Sequence, residues 1–168
     1  MKINRAILKE NKPETFSEDV DFNQLSFDDN HVRQIKRCSV TVIATEFEDV
    51  LQCVVKGDAD VVASCSYTLE DVPLNVKFEE TFYFSSEDTG SQDCYFEPGV
   101  EVDLNPHILA LILAEVPHNI VKDGATLPKS GEGYRVLTED ELNEERKNRK
   151  NSAFDVLDDL ELDEEDNN

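Results

Sequence analysis

The chain has 168 residues, of which 38 are acidic and 16 are basic, so its formal net charge at pH 7 is −22. This length favours one domain, and the charge argues against a protein that coats DNA or RNA or docks on anionic lipid, because its overall field repels polyanions. The acids are densest at the C-terminal end, where residues 155–168 hold eight acids and no base. Such a segment buries too little apolar surface to offset its ordering entropy, so we expect a disordered acidic tail over 163–168.

The sequence carries no pattern of a membrane-spanning or exported segment. No stretch approaches the roughly 18–20 uninterrupted apolar residues of a membrane span, and no apolar leader follows Met1–Arg5. The cysteines are Cys38, Cys53, Cys65 and Cys94, and no two of them form a C-x-x-C pair. We therefore expect a cytoplasmic protein with reduced cysteines, those in apolar runs serving as small core residues.

Alternation of apolar and polar residues predicts five β-strands. Their ranges are Arg37–Thr45, Val50–Lys56, Ala59–Tyr67, Val72–Phe84 and Cys94–Val102. The signal is clearest over Val72–Phe84, where six of seven even-numbered residues are apolar, so one face is buried and the other is wet. Gly57-Asp58 is typical of a hairpin turn between the second and third strands, and Pro98-Gly99 interrupts the fifth. Short connections indicate an antiparallel sheet with one apolar face, which needs a cover.

An apolar helix beginning near Asp103 is predicted to supply that cover. Asn105 is a candidate N-cap and Pro106 suits the first helical position, while apolar side chains continue to Val116 and Pro117 ends the helix. The predicted fold class is therefore α+β. It consists of an antiparallel β-sheet, with barrel-like closure left open, covered by one apolar helix and followed by a C-terminal helix and an acidic tail.

The C-terminal helix is predicted to begin at Thr138, which forms a T-x-x-E capping box with Glu141. Between the two helices, residues 123–134 include four glycines or prolines and indicate a mobile connector. Three apolar side chains spaced three residues apart predict a short docking turn further on: Phe154, Leu157 and Leu160. The predicted division is an α+β domain over 1–137, a C-terminal helical segment over 138–162 and a tail over 163–168.

Patterns that carry catalysis or metal binding are weak. The histidines, His31, His107 and His118, have no partners at metal-ligand spacing, and the stretch Lys129–Gly133 lacks the spacing of a phosphate-binding loop. Solvated surface explains the many carboxylates better than an acid–base pair does, and Cys65 is better explained as a buried strand residue than as a nucleophile. We expect no catalytic, metal-binding or cofactor-binding residue, and therefore no enzyme.

Basic residues are concentrated in two segments near the N-terminus. The first segment holds Lys2, Arg5, Lys9 and Lys12, and the second holds Arg33, Lys36 and Arg37. If the first segment packs beside the strand that follows the second, the seven bases form one small positive patch suited to an RNA backbone. The alternative is that they balance neighbouring acids, and the sequence leaves both interpretations open.

Two motifs, in this order, give the chain a resemblance to a known family. Cys65-Ser66-Tyr67-Thr68-Leu69 follows an apolar strand, and Val102-Asp103-Leu104-Asn105-Pro106 with Leu111–Pro117 comes later. The order resembles the YceD-like proteins of bacteria and plastids, also called large ribosomal RNA subunit accumulation proteins, over nearly the whole chain. The motif positions are Cys65, Leu69, Asp103, Leu104, Asn105 and Pro106. The resemblance implies a non-enzymatic role in accumulation of large-subunit ribosomal RNA.

One departure from that family bears on metal binding. Many relatives have C-x-x-C at the first motif and further cysteines after the helix, a set that can bind zinc. Here Thr68 stands at the second cysteine position, and no cysteine lies between Pro117 and Tyr134. A tetrahedral thiolate site cannot be built from those positions, so we expect no metal.

Three functional hypotheses follow from the sequence. The first is a ribosome-biogenesis factor that supports the synthesis, processing or stability of large-subunit ribosomal RNA. The second is an acidic binding module that shields a basic ribosomal protein before assembly, since opposite fields speed such an encounter. The third, an RNA-processing hydrolase, lacks a recognisable catalytic set. The expected partners are ribosomal RNA, a basic ribosomal protein or both, with no DNA and no membrane, and the oligomeric state stays open.

Overall fold

The structure, a computed structural model, describes residues 1–25, 27, 31–88 and 90–148. It falls into two compact units, the first spanning Met1–Ala125 and the second beginning at Thr126. The boundary predicted at 137/138 lies within the second unit. The predicted docking turn at Phe154–Leu160 and the predicted tail over 163–168 lie outside the described residues.

The first unit is built mainly of β-strands. They are β1 Lys2–Asn4, β2 Glu14–Asp19, β3 Val32–Phe47, β4 Val50–Ser64, β5 Asp71–Ser85, β6 Tyr95–Phe96 and β7 Glu101–Asp103, with a 3-10 turn at Arg5–Ile7. Five strands form one sheet in the order β2-β3-β4-β5-β6, in which only the β5–β6 pair is parallel. Over the described residues this sheet is open, with β2 and β6 at its edges, so barrel-like closure is not found. Strands β1 and β7 pair separately as an antiparallel ribbon.

The three long strands supply most of the core, and the period-two signal over Val72–Phe84 is confirmed by β5. Inward-facing residues pair across the sheet, for example Val42 with Val55 and Cys53 with Phe82. Cys38 and Cys53 are buried in the core, which confirms that they act as small core residues, whereas Cys65 is buried outside this cluster, beyond the end of β4. The helix that follows β7 then covers this inner face, against β5.

The hairpin turn predicted at Gly57-Asp58 is wrong. Strand β4 runs unbroken through both residues, and Gly57 pairs with Val40 on one side and Phe78 on the other. A Cβ atom added at Gly57 would lie 2.5 Å from the ring of Phe78 and 2.6 Å from the backbone oxygen of Ser39. The glycine therefore marks a close approach inside the sheet rather than a turn.

The other strand predictions need smaller corrections. The strand predicted over Arg37–Thr45 is longer at both ends, and the one predicted over Cys94–Val102 is replaced by the short strands β6 and β7. The residues Cys65–Tyr67 lie beyond the end of β4, in the turn that leads to β5. The actual turn between β3 and β4 contains Glu48, whose φ is +52°.

Helix α1 spans Asn105–Glu115, as expected from the apolar run before Pro117. Ile108 and Ile112 are fully buried, whereas Leu113 is 40% exposed, so the helix is buried on one side only. Asn105 is not the N-cap: Leu104 occupies that position. The amide of Asn105 donates to the Asp103 carboxylate at 2.9 Å, and its side-chain oxygen accepts from the N-terminal ammonium of Met1.

Helix α2 spans Glu139–Asn148 in the second unit. Its predicted capping box is confirmed, because the Thr138 amide donates to the Glu141 carboxylate at 2.8 Å and the Glu141 amide donates to the Thr138 hydroxyl at 3.1 Å. Among the described residues, no helix is long and apolar enough to cross a membrane.

Candidate partner-binding surfaces

Arg5 forms a mostly buried ion pair with Glu46 at the end of β3. Its Nε donates to the two carboxylate oxygens of Glu46 at 3.1 and 3.2 Å, and its Nη2 also donates to the backbone oxygen of Asp49 at 2.9 Å. The side chains of Arg5 and Glu46 are only 11% and 15% exposed. Arg5 therefore ties the N-terminal segment to the sheet, and most of its guanidinium is already occupied.

Arg37 sits in a hydrogen-bonded network on the outer face of the sheet. The Nε of Arg37 donates to Asp60 of β4 at 2.9 Å, and the guanidinium also pairs with Asp58 of β4. The side-chain amide of Asn75 donates to the other carboxylate oxygen of Asp60 at 2.8 Å. These hydrogen bonds, that of Asn75 first and that of Arg37 second, hold the pKa of Asp60 below its usual range.

The seven predicted bases do not form one patch. The N-terminal segment does pack beside β3, but Arg5 lies at the Glu46 end, while Arg33 and Arg37 lie toward the opposite end. Arg37 and Glu46 are nine positions apart along β3, a distance of about 30 Å. Arg5 and Arg37 are therefore too far apart to share one small patch.

Most of these bases are held by acids of the same unit. Beyond Arg5 and Arg37, Arg33 pairs with Asp71 at 2.9 Å and Lys2 pairs with Glu101 at 3.5 Å. Within the described part of the chain, three of the seven form no ion pair: Lys9, Lys12 and Lys36. Charge balancing, the alternative left open by the sequence, accounts for the other four.

The segment around Cys65 forms a hydrogen-bonded turn after β4. The Cys65 sulfur accepts from the amides of Tyr67 at 3.4 Å and Lys122 at 3.5 Å. The pKa of Cys65 is lowered to about 7, chiefly by the Lys122 amide and then by the Thr68 hydroxyl, and these donors outweigh the effect of burial. Leu69 closes the turn with a φ of +59° and is exposed.

The loop after α1 returns to this turn. The Ser66 amide donates to the Ile120 backbone oxygen at 2.7 Å, and the Ile120 amide donates to the Ser66 hydroxyl at 3.1 Å. Lys122 pairs with Glu70 at 3.1 Å across the same junction. The first motif therefore contacts the segment after the helix.

The second motif, Asp103–Pro106, lies at the start of α1, and the Cys65 turn contacts the loop beyond its end. Helix α1, eleven residues and about 16 Å long, lies between the second motif and that loop. Leu104 is fully buried, and Asn105 binds the N-terminal ammonium, so this motif anchors the helix and the chain start. Within the described residues, no group of three His, Cys, Asp or Glu side chains is placed to hold a metal ion.

His107, which the sequence gave no role, lies in an aromatic cluster in the first turn of α1. Its ring centroid is 4.6 Å from that of Tyr95, 5.0 Å from Phe82 and 5.2 Å from Phe84. Burial lowers the pKa of His107, so the neutral ring is favoured. The sequence carried one signal for this cluster: Phe82 and Phe84 lie on the same face of the predicted strand, the face that the helix bearing His107 was expected to cover.

A groove opens beside this cluster, along the edge of β5. Its volume is about 590 Å³. It is lined by Glu80, Thr81, Phe82, Tyr83, Gln92, Asp93, Tyr95 and Leu111. Because four consecutive residues of β5 contribute, the groove follows the strand edge rather than one face of the sheet.

Comparison of the chain with protein-family models, with curated proteins and with solved structures finds no significant match in any of the three.

Proposed function

We propose that the chain is a non-enzymatic, cytoplasmic ribosome-biogenesis factor that supports accumulation of large-subunit ribosomal RNA through its synthesis, processing or stability. The motif resemblance carries this proposal. It is supported by the hydrogen bonds that join the Cys65 turn to the 120–122 loop, since these are the two segments in which the resembled family places cysteines.

As a second candidate, the chain acts as an acidic binding module that shields a basic ribosomal protein before assembly. One observation favours this candidate over direct RNA contact: carboxylates of the same unit already bind four of the seven bases proposed to meet RNA. A net charge of −22 further opposes an extended RNA footprint. The two candidates are compatible, because protecting a large-subunit protein also protects the RNA that depends on it.

Depletion of the protein in its own cells tests the first proposal. The expected result is a fall in large-subunit relative to small-subunit ribosomal RNA, restored by re-expression of the chain. An unchanged ratio after complete depletion would contradict the proposal.

Binding measurements with the purified full chain separate RNA contact from protein contact. We compare its affinity at physiological salt for naked large-subunit ribosomal RNA and for the basic ribosomal proteins. The informative variant reverses Lys9, Lys12 and Lys36 to Glu, because it leaves the Arg5–Glu46 pair intact. We expect this variant to bind a basic protein at least as well as the parent. Submicromolar RNA binding that the triple reversal abolishes would overturn the protein-partner candidate.

A further inference from the structure

Most of one edge of β5 carries no strand partner. Strand β6 pairs with it only at Phe84 and Ser85, and among the described residues no other strand pairs on that side from Asp71 to Tyr83. Such an edge presents backbone donors and acceptors that can pair with another chain.

Three observations show which residues of β5 direct their backbone groups to this edge. The Ser85 oxygen accepts there from the Glu97 amide at 2.8 Å, and the Thr81 amide, of the same odd-numbered parity, donates to the Glu80 carboxylate at 2.9 Å. Pro73, which has no amide to donate, has the same odd-numbered parity. In an antiparallel pair the N–H and C=O of one residue point to the same side, so the Thr81 backbone faces the groove.

The side chains around the groove favour a cationic occupant. Glu80 and Asp93 contribute two carboxylates, and the lining residues include no base. Phe82, Tyr83 and Tyr95 add aromatic rings, against which Lys and Arg side chains pack favourably. Leu111 of α1 supplies an apolar wall.

We propose that this groove binds an extended basic segment of a protein partner, which adds to β5 as a further strand. The proposal rests on the acidic-module function and gives that function a binding site. A backbone carbonyl of the segment replaces the Glu80 carboxylate at the Thr81 amide, and the released carboxylate pairs with a Lys or Arg of the segment. Four residues, Glu80–Tyr83, offer about 13 Å of edge.

Charge selects this occupant over a second copy of the chain. Antiparallel pairing of two β5 edges about Thr81 would place the Glu80 carboxylate of one copy near that of the other, which is unfavourable. The opposing interpretation is that Glu80 only guards the edge, because an inward-pointing charge is a known protection against strand addition. The two interpretations differ in what Thr81→Pro does to peptide binding.

The experiment measures binding of the full chain to a short fluorescent peptide of alternating lysine and valine by anisotropy. Thr81→Pro removes the edge-facing amide without removing a donor to β4, and we expect it to weaken binding about tenfold or more. Thr81→Val keeps the amide and should bind like the parent. An N-methylated peptide, tested on the unaltered chain, should lose affinity similarly, and it guards against misfolding of the proline variant.

A charge control completes the design. Glu80→Lys should weaken binding far more than Glu115→Lys, which changes the charge equally at an exposed position outside the lining residues. Equal effects of the two reversals, or unchanged binding with the N-methylated peptide, would overturn the proposal. So would sedimentation showing a dimer of the chain that Thr81→Pro dissociates, since a second copy would then occupy the edge. If Thr81→Pro still binds a basic ribosomal protein normally, only the groove assignment falls and the acidic-module function stands.

Discussion

Gly57 leaves no room for a side chain between β3 and β5. An added methyl group would meet the Phe78 ring and the Ser39 backbone oxygen, and the oxygen cannot move without disturbing the β3–β4 pairing. We expect Gly57→Ala to destabilise the protein by about 1–3 kcal/mol, as overpacking of a closely packed site does. Gly99→Ala is the matched control, because its nearest neighbour would lie at 3.4 Å. Urea unfolding of both variants checks this, and equal stabilities would contradict it.

The Cys65 thiol gives the stability a defined pH dependence. Its pKa is about 7 in the folded protein against an ordinary value of 9.0, so the folded state favours the thiolate. This contribution to stability is complete above pH 9 and is lost as the pH falls through 7. We therefore expect the stability difference between the parent and Cys65→Ala to grow from pH 7 to pH 9.

Urea unfolding of the two proteins across that range, under reducing conditions, measures the difference directly. Burial raises the pKa of Cys38 to about 11 and that of Cys53 to about 12. These two thiols therefore lower the stability of the folded state as the pH rises above 9. Both are present in the parent and in the variant, so their effects cancel in the difference. A difference that stays flat or shrinks would contradict the hydrogen-bonded thiolate.

At the scale of elements, helix α1 allows a comparison of adjacent side chains. Ile112 is fully buried in the core, and Leu113 next to it is 40% exposed. We expect Ile112→Ala to cost about 2–5 kcal/mol through lost burial and the cavity left behind, and Leu113→Ala to cost less than about 1 kcal/mol. Denaturant unfolding at one pH compares them, and similar losses would mean that the helix is covered on both sides.

Elements with a strong local signal could be predicted from the sequence. Strand β5 has a clean period of two, α1 is bounded by Pro106 and Pro117, and α2 begins at a capping box, and all three were found. The failures involve distant partners. Gly57 suggests a turn in the sequence because the Phe78 ring that it contacts lies 21 positions later, beyond the range of local patterns. The side-chain oxygen of Asn105 accepts from the ammonium of Met1 instead of capping the helix.

At the scale of the whole molecule, strand register and packing determine which distant residues lie together, and the sequence alone does not reveal this. The sequence predicts that the two basic segments meet if the first packs beside the strand. It does pack there, but Arg5 binds Glu46, which lies about 30 Å along β3 from Arg37. The groove was missed for the same reason: its lining residues come from β5, the loop before β6 and α1, and only the fold brings them together. Composition nevertheless identified the dominant charge, which the candidate function depends on.

The acidic run over 155–166 is expected to speed the association of the chain with a basic partner. If the chain binds a basic ribosomal protein, affinity should fall steeply with salt, because exposed charges more than about 8–10 Å apart are screened near physiological ionic strength. Replacing the acids of this run by Asn and Gln should slow association by about tenfold at low salt and change dissociation little, since dispersed charges mainly steer encounter. Deleting only 163–168, which hold no apolar side chain, should leave the melting temperature unaltered. Stopped-flow measurements at several salt concentrations test the rates, and an effect confined to dissociation would show that the run is a docked part of the interface.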